Sequence, residues 1–155
     1  MDTRRVTRSL WPRRRFMAAA AVVLIVAGAL AASRSYASTS SSDFELTVTP
    51  SSAKVAEGSS TRYTLAVTSR GGFAGTVHVG IVSVSPATTN GPTFHLSRYE
   101  IWVSPTAPTG TAVIAASTTS ITPATTYTVT VRGKDITGGS NYGLTHSTSF
   151  TLSVQ

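Results

Sequence analysis

The chain has 155 residues and a net charge of +7, but residues 1–37 carry seven arginines against Asp2 alone, while the other 118 carry six basic and five acidic side chains. Basicity spread over a domain would point to nucleic acid or an anionic surface; confined to one terminal segment, it gives no reason to expect a nucleic-acid partner. There is no cysteine, which excludes disulfides, thiol catalysis and cysteine-ligated zinc.

Residues 1–37 follow the order of a secretory signal peptide: a basic stretch ending at Arg15, an apolar run over 16–32, then Ser35-Tyr36-Ala37. Arginines stay on the cytoplasmic side while the apolar run enters the bilayer, and small side chains at Ser35 and Ala37 suit a signal peptidase, so cleavage is expected after Ala37. Within it, Arg13, Arg14, Phe16 and Met17 resemble the twin-arginine export motif, with Pro12 and Ala18 as departures from it; the general secretory route is the alternative. A second alternative is that residues 16–32 stay uncut as a membrane anchor, the chain's one expected contact with a membrane. No cysteine follows the apolar run, so a lipoprotein anchor is excluded.

Residues 38–43 read as a Ser/Thr linker with nothing to bury. From Phe44 onward apolar and hydroxylated residues alternate. Phe44-Glu45-Leu46-Thr47-Val48-Thr49 has period 2 and stops at Pro50; residues 63–68, 77–81, 127–131 and 150–154 repeat the pattern. Such alternation buries one face of a strand and wets the other, and β-branched threonine suits that wet face. Residues 99–103 and 111–117 are expected to add two more strands, about seven in all. The prolines after the leader (Pro50, Pro86, Pro92, Pro105, Pro108 and Pro123) fall between these segments, as the missing N–H requires. The expected fold is an all-β antiparallel sandwich over 44–155, with the strand order within 82–104 left open. Residues 144–155 contain no Lys, Arg, Asp or Glu, so they would make an unprotected sheet edge.

Phe44 to Ser52, Ser60-Thr61-Arg62-Tyr63-Thr64-Leu65 and Gly72-Phe73-Ala74-Gly75-Thr76-Val77 resemble the bacterial immunoglobulin-like modules of exported proteins. The segments 121–131 and 144–152 are similar to the last two strands of such modules. The resemblance implies an immunoglobulin-like sandwich, an extracytoplasmic setting and a role as accessory module. It implies no catalytic residues and no cofactor.

Catalytic and metal chemistry find little support in the residues themselves. No Gly-x-Ser-x-Gly turn presents a nucleophile, and His78, His95 and His146 read as surface or loop residues. Five acids over 118 residues do not cluster as calcium or zinc ligands would; Asp135 beside the loop 138–141 reads as a turn residue. Tyr127, shortly after Thr122-Pro123, is expected to brace the preceding corner through its hydroxyl. In Arg98-Tyr99-Glu100-Ile101-Trp102-Val103, alternation groups Tyr99, Ile101 and Val103 inward and places Trp102 with charged neighbours on a wet face. An exposed indole there is a binding candidate for a sugar ring or a protein, unless a loop covers it or a bulge reverses the phase. The function expected is non-catalytic binding, adhesion or structural support outside the cytoplasm, toward a protein or glycan at the cell surface. A carbohydrate-binding accessory module is one alternative; a hydrolase with an unrecognised site is another.

Overall fold

The computed structural model describes residues 41–138 and 142–155. The expected signal segment, with Arg13, Arg14, Phe16, Met17, Ser35 and Ala37, lies outside the described residues, as do 38–40 of the linker. Nine strands follow in order: β1 (Asp43–Thr49), β2 (Ser52–Val55), β3 (Ser60–Arg70), β4 (Gly75–Ser85), β5 (Thr93–Leu96), β6 (Glu100–Val103), β7 (Thr109–Ser117), β8 (Thr126–Asp135) and β9 (Thr145–Val154). They form an immunoglobulin-like sandwich of a four-stranded sheet, β1-β3-β7-β5, and a five-stranded sheet, β2-β9-β8-β4-β6.

Alternation is what builds the core. Tyr63, Leu65 and Val67 of β3 are buried, as are Val77 and Val79 of β4, Tyr127, Val129 and Val131 of β8, and Phe150, Leu152 and Val154 of β9. Their intervening Thr, Ser, Ala and His residues face outward or lie at the margin. All seven expected strands are present, several of them longer than the period-2 cores. The two additions, β2 and β5, are only four residues each. β2 runs parallel to β9 from Ser52↔Thr151 to Val55↔Val154. It thereby covers the uncharged C-terminal strand, which lies inside the five-stranded sheet rather than at its edge. β5 turns Phe94 toward the core, edge-on to Phe150 with ring centres 6.0 Å apart.

Residues 82–104 resolve into a crossing path. β4 belongs to the five-stranded sheet, β5 to the four-stranded sheet, β6 to the five-stranded sheet again and β7 to the four-stranded one. The register between β4 and β8 shifts between Ile81 and Ser83, leaving Val82 out of the pairing and exposed, which is the signature of a bulge.

Two buried tyrosines use their hydroxyls, one between the layers and one at a corner. The Tyr63 ring packs 4.2 Å from that of Phe150, and its hydroxyl donates across the core to the Thr151 carbonyl at 2.9 Å. Burial pushes the Tyr63 phenol up to about 12, whereas an unfolded tyrosine ionises near 10. The unfolded chain therefore releases this proton first, so the contribution of Tyr63 is complete below about pH 10 and declines as pH rises toward about 12. Tyr63→Phe is expected to cost about 1 kcal/mol at neutral pH and to flatten that alkaline decline. Urea unfolding at pH 7 and over pH 9–12 checks both parts.

Tyr127 is fully buried; its hydroxyl donates to the Pro123 carbonyl at 3.2 Å and lies 3.3 Å from Thr88 Oγ1. Removing it leaves the Pro123 corner and the Thr88 loop without their common partner. Tyr127→Phe is expected to lower the melting temperature by about 4 °C, from about 1 kcal/mol of lost hydrogen bonding, leaving binding unchanged; calorimetry is the check.

Candidate aromatic face of the five-stranded sheet

The outer face of the five-stranded sheet differs from that of its partner. Over β3 and β7 the outward positions include Thr64, Thr68, Thr111 and Ser117. At one end of the five-stranded sheet they are aromatic and charged. β6 pairs with β4 over Gly75↔Val103 to His78↔Glu100, placing Trp102 opposite Thr76. On the other side of β4, Ile136 N–H donates to the Thr76 carbonyl at 3.0 Å. The next row runs Glu100, His78, Lys134, Thr145 across four strands, and Gly80 opposite Arg132 begins the row after it. With strands about 4.8 Å apart and same-face residues about 7 Å apart along a strand, these side chains share one field.

Trp102 is 59% exposed, Tyr99 54% and Tyr142 63%. Trp102 stands where alternation places it, because Ile101 and Val103 on either side are buried in the core. Tyr99 does not. Alternation grouped it with Ile101 and Val103, but β6 begins at Glu100, and the bend before it carries Tyr99 to the outer side. There its ring stacks near His78 at 6.5 Å between centres, with an 18° interplanar angle. Tyr142, in the connection between β8 and β9, had no periodicity to mark it. Its ring lies under Lys134 Nζ at 5.7 Å, a distance at which the ammonium is drawn to the ring face.

The remaining histidines lie elsewhere. His95 is exposed on β5. His146 is only partly exposed: Nε2 lies 2.6 Å from Asp43 Oδ1, and the imidazole meets the Phe44 ring edge-on at 4.9 Å. This joins the start of β1 to β9, across the two sheets. No serine or threonine hydroxyl bonds that imidazole among the described residues. Asp135 is buried, its Oδ1 accepting the Thr137 N–H at 2.9 Å, the geometry of a turn. Among the described residues no group of three potential ligands could hold a metal ion. What the aromatic face offers chemically is contact: flat rings for stacking, with Glu100, Arg132 and Lys134 around them to orient a partner.

No family model matches the chain, and no curated protein matches it. Solved structures with a similar arrangement of strands include domains 4 and 5 of the S-layer protein SbsC, at 15% identity and a TM-score of 0.46, covering 73% of this chain and 53% of that one. The present chain thus spans about half of that S-layer structure. The BIgI domain of the beta protein from S. agalactiae, solved bound to CEACAM1, is similar at 20% identity and a TM-score of 0.42, covering 73% of this chain and 97% of that one. AvmM, which catalyses macrocyclization in alchivemycin A biosynthesis, is similar at 11% identity and a TM-score of 0.39, with 72% and 88% covered. At these values the likeness carries no conclusion about what this chain does.

Proposed function

We propose that this chain is an exported, non-catalytic module that acts outside the cytoplasm by contact, in binding, adhesion or structural support, through the outer face of its five-stranded sheet. The observation that carries the reading is the gathering of Trp102, Tyr99 and Tyr142, all more than half exposed, on the end of one face that also holds His78, Glu100 and Lys134. Water is a poor environment for three such rings, and covering them on a partner returns the free energy that leaves them exposed in the free chain. Export is the office of residues 1–37, with cleavage after Ala37 or retention through 16–32. Carbohydrate recognition is the second reading, favoured by the flat, solvent-facing indole of Trp102.

The test is co-sedimentation of the full chain with cell-envelope material and with a panel of insoluble glycans. Trp102→Ala is expected to reduce retention at least tenfold, the scale of an exposed aromatic anchor worth about 1.4 kcal/mol or more, while the melting temperature stays within about 2 °C of wild type because the side chain packs on nothing in the core. Retention on glycans alone selects the second reading. Equal retention of wild type and Trp102→Ala on every material contradicts both.

A further inference from the structure

The four-stranded sheet carries a separate depression on its own outer face, of about 350 Å³, lined by Arg62, His95, Leu96, Ser97, Val113 and Ala115. Its frame is a single cross-strand row. Arg62 of β3 pairs with Ala115 of β7, and Ala115 pairs in turn with His95 of β5. Two strand spacings separate Arg62 from His95, about 10 Å between their Cα atoms. The short side chain of Ala115 between them makes the floor, and Val113, 39% exposed, extends it along β7. Ser97 closes the end: its Oγ accepts the Val113 N–H at 2.9 Å and its N–H donates to the Val113 carbonyl at 2.8 Å.

The charge of this depression is unanswered among the described residues. The ion pairs among the described residues are Arg70 with Glu45 and His146 with Asp43, so Arg62 has no carboxylate partner among them. The depression therefore offers a guanidinium and an imidazole on either side of an apolar floor. Its volume is at the lower end of the roughly 300–1,000 Å³ typical of small-molecule sites.

We propose that this depression binds a carboxylate carried on a small ring. The carboxylate takes the guanidinium of Arg62 in the paired N–H geometry that arginine presents to planar anions, and the imidazole of His95 donates to it from the other side. The ring lies on Ala115 and Val113. A terminal acidic sugar and a free cyclic carboxylic acid share this chemistry, and neither depends on the aromatic face of the other sheet.

The test is titration of the full, 15N-labelled chain with D-glucuronate, benzoate, D-glucose and acetate, followed by amide chemical shifts. Saturable shifts at Arg62, His95, Ser97, Val113 and Ala115 are expected with glucuronate, identifying an acidic sugar, or with benzoate, identifying a free cyclic acid. Glucose, which lacks the charge, and acetate, which lacks the ring, are expected to bind at least tenfold more weakly. Arg62→Gln is expected to weaken binding at least tenfold and His95→Gln several-fold; both side chains are exposed on the sheet surface, so both variants fold. No saturable shift with either acid overturns the proposal. So does equal binding of glucose or acetate, or binding that Arg62→Gln leaves unchanged.

Discussion

Phe150→Ala is expected to destabilise the domain by about 3–5 kcal/mol, the range for removing a buried aromatic ring, and to lower its melting temperature by about 12–20 °C. Phe150 is 1% exposed and holds aromatic partners from two strands of the four-stranded sheet, the interior β3 and the edge strand β5. Tyr63 of β3 packs at 4.2 Å and Phe94 of β5 at 6.0 Å between ring centres. Its loss leaves a cavity bordered by Tyr63, whose hydroxyl is bonded to the Thr151 carbonyl next to Phe150. The backbone of β9 is held between β2 and β8, so the gap closes only in part. The damage reaches β5 as well, because that four-residue strand is anchored by Phe94 and Leu96 against the core. Urea unfolding and calorimetry measure the loss; a cost below about 1 kcal/mol would show that the two sheets do not meet through this ring.

Gly110→Val is expected to cost about 3 kcal/mol, the upper end of what overpacking a filled core costs. Gly110 sits on β7 opposite Val67, close against β6 of the other sheet. A Cβ built there overlaps Ile101 Cγ2 and comes 3.2 Å from the Trp102 carbonyl and 3.5 Å from Val103 Cγ1. The overlap is with the buried Ile101 side chain and the β6 backbone at Trp102 is tight, so Ile101 must shift and the strand that carries Trp102 must give by a few tenths of an ångström. The substitution is expected to impair binding by the aromatic face together with stability, whereas Trp102→Ala impairs binding alone. Gly110→Ala, adding only the Cβ, is expected to fall between wild type and Gly110→Val in unfolding free energy.

The long strands were legible because each repeats its alternation over five or more residues, enough for period 2 to stand out from chance. The same signal failed for β2 and β5. Ser-Ala-Lys-Val offers two small apolar side chains and no strong β-former but Val55, and Thr-Phe-His-Leu is only two cycles of alternation confined between Pro92 and Arg98. Their pairing is decided by where the chain crosses between sheets, which no local pattern encodes. Trp102 was readable as outward because its neighbours Ile101 and Val103 are both core residues. For Tyr99 alternation points inward, but the strand begins one residue later at Glu100, and the bend at its start moves the ring to the opposite side. Tyr142 lies in a connection, where side-chain direction follows from the turn rather than from a period. The Asp43–His146 pair joins residues at opposite ends of the domain sequence, a contact made between the layers where β1 of one sheet meets β9 of the other, which no local pattern encodes.

The tryptophan fluorescence of the full chain tests the contact reading most directly. The signal of Trp102 is obtained as wild type minus Trp102→Phe, which cancels Trp11, the other tryptophan in the sequence. A 59% exposed indole is expected to emit as a solvated ring and to be readily quenched by iodide. Addition of the envelope or glycan material that retains the chain is expected to shift this difference spectrum to the blue and to protect it from iodide. A difference spectrum that keeps its position and its quenching while the chain is bound would contradict contact through this face.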